Sequence, residues 1–276
     1  MAGGCSGQAG RRDHAAFRCG ARCPIDVGGS MSRDIATVVA DDGVATLRLA
    51  RPARRNALSI KVRDEITLAL DGWAKDPAVR AVVLHGEGST FCAGFDLDEF
   101  GQADRAEQIR HSSRRYHLAV WHFPKPLIAA VNGPAMGGGF DLCALCDCRI
   151  ASTTAVFGHP EIKFGAPPMF TPLQWIVGHG VARELCLSGR RIDAHEALRL
   201  GLVTSVSEPE RVLDDALALA RNIIEAPAAT IEMTKGYLVG NAGATFEQAF
   251  AVEHDAVFDR FLAGPVGPRL RDEETL

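Results

Sequence analysis

Several absences narrow the field before any motif is considered. The 276-residue chain has no basic excess: 30 Lys and Arg face 34 Asp and Glu, a formal net charge of −4. Nucleic acid is therefore not expected as its main partner, because neutralising phosphates calls for a concentrated basic face. It also lacks an unbroken apolar run. The longest stretch free of charged side chains, residues 164–182, is interrupted by Pro167, Pro168, Pro172, Gly165, Gly178 and Gly180, which would break a membrane helix repeatedly, so no membrane span is expected. Eight cysteines are too dilute for the disulfide framework of a small secreted scaffold. With no recognisable signal peptide ahead of them, a reducing, cytoplasmic setting is expected. No repeat of solenoid length is present. What remains, at 47% hydrophobic and 23% charged residues, has the composition of a folded chain.

Residues 1–30 stand apart, with seven glycines, three of the eight cysteines and no recurring apolar face. A disordered leader is expected there, or an upstream start ahead of Met31. Arg11, Arg12, Arg18 and Arg22 would suit a transit peptide, but hydroxyl residues are few and an amphipathic period is missing.

After the leader the pattern alternates. Ala36–Val39 and Val44–Leu49 are β-rich runs around Asp41-Asp42-Gly43, which predicts a hairpin. Helical spacing follows over 59–73. Arg80–Leu84 predicts a buried strand, 106–122 a second helix, and Pro126–Val131 another buried strand. This order argues for an α/β layered core with right-handed crossovers. Beyond residue 170 helices dominate. Asp193-Ala194-His195-Glu196 and Ser207-Glu208-Pro209-Glu210 both have capping-box spacing, predicting helix starts near 194 and 208. The 209–226 segment carries an apolar stripe (Val212, Leu213, Leu217, Leu219, Ile223, Ile224). A second stripe joins Phe246, Phe250, Val257, Phe258 and Phe261. Three units are expected: the leader, a core over 31–205 and a helical C-terminal region over 206–276.

Two glycine-marked loops follow strands. One is Ser89-Thr90-Phe91-Cys92-Ala93-Gly94-Phe95-Asp96-Leu97; the other is Val131 to Leu142, containing Gly137-Gly138-Gly139. Consecutive glycines before a helix leave amide groups open to an anion or a developing oxyanion, or simply allow close strand–helix packing. Neither loop is a phosphate-binding P-loop, since no Lys-Ser or Lys-Thr follows, and the glycine spacing is not that of a dinucleotide fingerprint.

The strings RPARRNAL, FCAGFDL, PLIAAVNGPAMGGGFDL and FGHPEIKFG, in this order and spacing, resemble the crotonase superfamily, the enoyl-CoA hydratase/isomerase family. The resemblance runs from about residue 36 into the C-terminal helices. It implies an α/β fold made of a ββα spiral, a helical trimerisation region, and a homotrimer or dimer of trimers. An acyl-CoA thioester is the implied substrate and partner, as in fatty acid metabolism, with no cofactor because coenzyme A is part of the substrate. Carried onto this chain, the backbone N–H groups of Phe95 and Gly138 form the oxyanion hole, and Asp141 and Glu161 are the catalytic carboxylates. Arg54, Arg55, Ala93, Gly94, Asp96, Gly137, Met169 and Phe170 surround the substrate. Two fixed amides polarise a thioester carbonyl, and two carboxylates whose pKa values differ divide proton donation from abstraction. Hydration of a 2-enoyl-CoA to a 3-hydroxyacyl-CoA is the first expectation. An isomerase, a hydrolase or a catalytically silent acyl-CoA-binding subunit are the alternatives.

This chain departs from the family pattern in two places. Asp141 is one methylene shorter than the family's glutamate, and taken alone suits any helix N-terminus. Met169 and Phe170 stand where small residues are usual, which should reshape the acyl pocket. Arg54 and Arg55 are either CoA-phosphate ligands or a solvated pair. Cys143, Cys146 and Cys148 have a CxxC-like spacing, but no second Cys or His pair stands at zinc spacing, so no metal is expected. His122 and His159 are read as hydrogen-bonding structural residues.

Overall fold

The computed structural model describes residues 34–100, 103–241 and 243–263. The leader read over 1–30 lies outside the described residues, as do residues 264–276 and the side chains of Val257 and Phe261. A six-stranded sheet forms the centre. Strands β1 (Ile35–Val39) and β2 (Val44–Leu49) pair antiparallel, with Ile35 opposite Leu49 and Val39 opposite Ala45. Asp42 Oδ1 accepts from Val44 N–H at 3.1 Å and Gly43 takes φ 85°, which closes the turn. From β2 onward the pairing is parallel, through β3 (Ala81–Gly86), β4 (Leu127–Val131), β6 (Cys148–Ser152) and β9 (Ser205–Ser207).

Alternation along the central strands explains why they read as continuous aliphatic runs. Leu47, Leu49, Val82, Leu84, Leu127, Ala129 and Val131 point to one face, against α1 (Ile60–Lys75) and α2 (Ala106–Trp121) through Val62, Ile66, Leu70, Trp73, Tyr116 and Val120. Val44, Ala81, Val83, Ile128, Ala130 and Ile150 point to the other, where Val212, Ala216 and Ala220 of α6 (Val212–Ile223) cover them. A parallel sheet buried on both faces has no polar side to show.

A second, three-stranded sheet joins β5 (Ala135–Met136), β7 (Val156–Gly158) and β8 (Ile192–Asp193). Between β5 and β6 lies α3 (Gly138–Leu145), buried along its whole length. Helices α4 (Thr171–Ser188), α5 (Ala194–Arg199), α7 (Ala228–Gly240) and α8 (Phe246–Ala263) complete the described chain. Gly178, with φ 77° and ψ 162°, interrupts α4, and no helix among the described residues is long and apolar enough to cross a membrane.

The two capping boxes part company. Asp193 accepts from Glu196 N–H at 2.7 Å and starts α5 as expected. Ser207 does not start a helix: it is the last residue of β9, its carbonyl accepts from Thr153 N–H, and a turn delays α6 to Val212. Pairing with β6 commits the Ser207 backbone to the sheet. The 205/206 boundary read from the sequence falls inside β9, and α6 beyond it packs on the central sheet.

Candidate active site

Both glycine-marked loops leave the carboxyl ends of neighbouring parallel strands, β3 and β4, the usual position of a ligand crevice in such sheets. Two buried or half-buried asparagines tie them down. Asn56 donates to the carbonyls of Glu87 and Thr90 and accepts from Arg51 N–H. Asn132 accepts from Gly86 N–H and donates to Gly88 C=O. The first loop is then sewn to its neighbours by two single-residue parallel bridges, Leu58 with Phe95 and Cys92 with Ala135.

These bridges set the direction of one amide. Leu58 N–H donates to Gly94 C=O and Leu58 C=O accepts from Asp96 N–H, so the bonds flank Phe95 and its own N–H faces the opposite side. There it meets α3. Gly138 is the first residue of that helix, and its N–H belongs to the set a helix leaves without an intrahelical acceptor. A Cβ added at Gly94 would stand 3.2 Å from Gly138 N, and one at Gly138 would stand 3.6 Å from Phe95 N, so the two amides are neighbours. Gly137 turns the chain into the helix with φ 52° and ψ −125°, outside the range of L side chains.

The two carboxylates lie close to these amides. Asp141 occupies the first turn of α3 and is buried; Glu161 sits in a short 3-10 turn, Pro160–Phe164, with a quarter of its side chain exposed. Burial, with the Glu161 charge adding to it and His159 opposing, pushes the Asp141 pKa up to about 7. Glu161 Oε1 bonds His159 Nδ1 at 2.9 Å. Glu161 Oε2 is buried with no hydrogen-bond partner among the described residues, and a Cβ on Gly137 would lie 3.2 Å from it. The His159 ring is buried, stacks on Phe140 at 4.7 Å between centroids, and turns Nε2 toward Asp141 Oδ1, 3.7 Å away.

The elevated Asp141 pKa has a consequence for stability. The folded protein keeps a proton that the unfolded chain releases near pH 4, so the stabilisation is complete below that value and is lost as pH rises through about 7. Asp141→Asn stays neutral throughout. It is expected to melt higher than the parent at pH 8, by on the order of 4 kcal/mol at most, with the gap closing toward pH 4. Thermal unfolding across that range tests this; a gap independent of pH would refute it.

A cavity of about 740 Å³ opens over this cluster, large enough for a cofactor-sized ligand. Arg54, Arg55, Ala93, Gly94, Phe95, Asp96, Gly137, Gly138, Asp141, Glu161 and Met169 all line it, so eleven of the twelve residues singled out from the sequence come together. Phe170 does not line it: it precedes α4 and packs against the main core and the His179 ring. Only Met169 of that bulky pair shapes the pocket.

Two other expectations change in detail. Arg54 is not a free cation, since it pairs with Asp96 at 3.0 Å and with Asp98. Asp96 in turn is held by Arg51 at 3.0 Å; burial raises its pKa, but the bonds from Arg51 and Arg54 outweigh that and keep it below the usual carboxylate range. Asp96 thus anchors the first loop, and exposed Arg55 is the arginine at the cavity edge whose side chain is not clamped in this way.

Sequence reasoning missed Arg51, the bridging role of His159, and the wall formed by Ser113, His117, Phe100 and Phe164. Arg63 was also missed. It is fully buried, donates to Leu58 C=O at 2.6 Å and lies 4.8 Å under the Phe95 ring. Cys92, at the heart of the first loop, donates to Asn56 C=O, and burial pushes its thiol up to about 12, so it is no nucleophile. Among the described residues no group of three or more His, Cys, Asp or Glu is placed to hold a metal ion.

The sequence model of the family described as enoyl-CoA hydratase/isomerase matches residues 40–263. The chain is 34% identical over 224 residues to the short-chain-enoyl-CoA hydratase of Clostridium acetobutylicum, covering 79% of this chain and 86% of that one. It is 33% identical over 227 residues to the crotonyl-CoA hydratase of Syntrophomonas wolfei, covering 78% and 85%. The crystal structure of enoyl-CoA hydratase from Bacillus anthracis matches with a TM-score of 0.77 at 31% identity, over 81% of this chain and 89% of that one. The chain belongs to the enoyl-CoA hydratase/isomerase family.

Proposed function

We propose that this protein adds water across the double bond of a 2-enoyl-CoA to give a 3-hydroxyacyl-CoA. The supporting observation is the convergence of the Phe95 and Gly138 amides with the Asp141 and Glu161 carboxylates on one cavity. In this reading the two amides donate to the thioester carbonyl oxygen and stabilise the enolate that forms when water attacks C3. Glu161, the more exposed carboxylate, takes the proton from water; Asp141, which keeps its proton to about pH 7, delivers it to C2. The added hydroxyl stays on C3, and exchange with solvent returns the pair to its starting state.

Arg55 meets the CoA phosphates at the cavity edge, and Met169, Phe95, Phe100 and Phe164 enclose the acyl chain. No cofactor is called for beyond the CoA carried by the substrate. A homotrimer or dimer of trimers completes the reading, supported by the exposed Phe246, Phe250 and Phe258 along α8 in the C-terminal helical region. A reducing cytoplasm suits the free thiols of Cys92, Cys143, Cys146, Cys148 and Cys186.

Incubation with crotonyl-CoA and with longer and cyclic enoyl-CoA esters is expected to bleach the conjugated thioester absorbance and yield the 3-hydroxy ester. Binding of these esters with no change in absorbance would instead support the silent acyl-CoA-binding alternative.

A further inference from the structure

His159 does more than fill space beside the two carboxylates. A carboxylate only accepts, so the 2.9 Å contact with Glu161 Oε1 places a proton on His159 Nδ1. The far nitrogen, Nε2, then faces Asp141 Oδ1 at 3.7 Å, within ion-pair range though longer than a hydrogen bond. The ring has little freedom to leave this position. It is 2% exposed, lies flat on Phe140 of α3, and its own backbone carbonyl abuts Gly189 at the end of α4.

We propose that His159 is a positioning residue of the carboxylate pair, fixing Glu161 through Nδ1–H and coupling the proton of Asp141 to the same ring through Nε2. The inference rests on the hydratase reading for its catalytic consequence, though the coupling itself does not. Two arrangements of the trio carry the same net charge of one negative: neutral imidazole between protonated Asp141 and ionised Glu161, or imidazolium between two carboxylates. One proton moving between Asp141 and Nε2 interconverts them. The pocket therefore holds a second carboxylate beside Glu161 without accumulating a second uncompensated charge. Glu161 meanwhile cannot swing away from Gly137 without breaking its bond to the ring.

Other titratable groups also face this trio. Cys186 from α4 senses both carboxylates; Cys92 from the first loop and Tyr116 from α2 sense Asp141. Burial pushes all three upward, so they stay neutral over the range in which Asp141 titrates. Of the groups around Asp141, His159 is the one whose ring nitrogen faces Asp141 Oδ1 within ion-pair range.

Two substitutions separate orientation from coupling. His159→Gln keeps an N–H donor for Glu161 but cannot take a proton from Asp141, while His159→Phe keeps the stack on Phe140 and loses both. With crotonyl-CoA, His159→Phe is expected to lower kcat about 100-fold with KM nearly unchanged, and His159→Gln to recover at least a tenth of the parental kcat. Because the His159 charge lowers the Asp141 pKa, His159→Gln should also move the pH–rate limb that reports Asp141 to higher pH. Variants with the parental pH profile, and kcat within twofold of the parent, would overturn the proposal.

A second measurement needs no turnover. In the full chain carrying ¹⁵N-histidine, the imidazole signal lost in His159→Gln is expected to titrate differently in Asp141→Asn and in Glu161→Gln than in the parent. If that signal is indifferent to both, the coupling is absent whatever the enzyme does. If it responds while no enoyl-CoA is turned over, the hydratase reading fails and the coupling stands.

Discussion

Glu161→Gln is expected to lower kcat for 2-enoyl-CoA hydration by between about 10² and 10⁴, while the dissociation constant for the acyl-CoA ester changes by no more than a few fold. The amide keeps the volume of the side chain but offers no base for the proton of water. Ester affinity is preserved because the Phe95 and Gly138 amides and the apolar wall are untouched. Stopped-flow loss of the enoyl thioester absorbance gives the first quantity and titration with a non-reactive acyl-CoA the second. Retention of more than a tenth of the parental kcat would eliminate Glu161 as the base. If Asp141→Asn keeps most of the activity that Glu161→Gln loses, a one-carboxylate mechanism replaces the paired one.

Gly139→Ala is expected to have the largest effect on the folded state. A Cβ there would lie 2.3 Å from Cys92 O and 2.8 Å from both Cys92 C and Cys92 Cβ, contacts that backbone must yield to. The yielding backbone is the one that matters, because Cys92 C=O accepts from Met136 N–H at 3.0 Å and holds the two loops together. Overpacking of this kind costs about 1–3 kcal/mol, and the loops that carry the Phe95 and Gly138 amides, the proposed oxyanion hole, would be levered apart. A fall in melting temperature of several degrees is expected, together with a loss of kcat on the order of 10² or more. Gly72→Ala is the control. It lies on an exposed stretch of α1 with no atom within 4 Å of the added Cβ, and should stabilise by about 0.5–1 kcal/mol. Parental stability and activity in Gly139→Ala would show that the loops tolerate separation.

Much of the architecture was legible because its signals are local. The Asp41-Asp42-Gly43 turn, the Asp193 cap and the aliphatic strands each depend on residues a few positions apart. Ser207 shows the limit: it has the same spacing as Asp193, but a strand far back in the chain claims its backbone. The loops that form the site were legible through their glycines and the family resemblance. What escaped were side chains whose partners are distant in sequence. Arg54 reads as a free cation until Asp96, 42 positions on, is seen to hold it. Arg63 is hidden by the opposite problem, since nothing in a helical heptad marks a guanidinium destined for complete burial. His159 was read as a hydrogen-bonding structural residue, but its two partners escaped because they lie on different elements, α3 and the turn after β7.

The two single-residue bridges at Leu58–Phe95 and Cys92–Ala135 also bear on the order in which the molecule is built. Each closes a separation of some forty residues for the sake of one pair, a loop-closure cost of a few kcal/mol that so small a contact does not repay by itself. The central strands and α1, α2 and α3 must already be in place to hold the ends near one another. The amide pair is therefore expected to be among the last parts of the chain to form during refolding and among the first to open, so that capacity to bind a thioester returns after the helical signal has recovered.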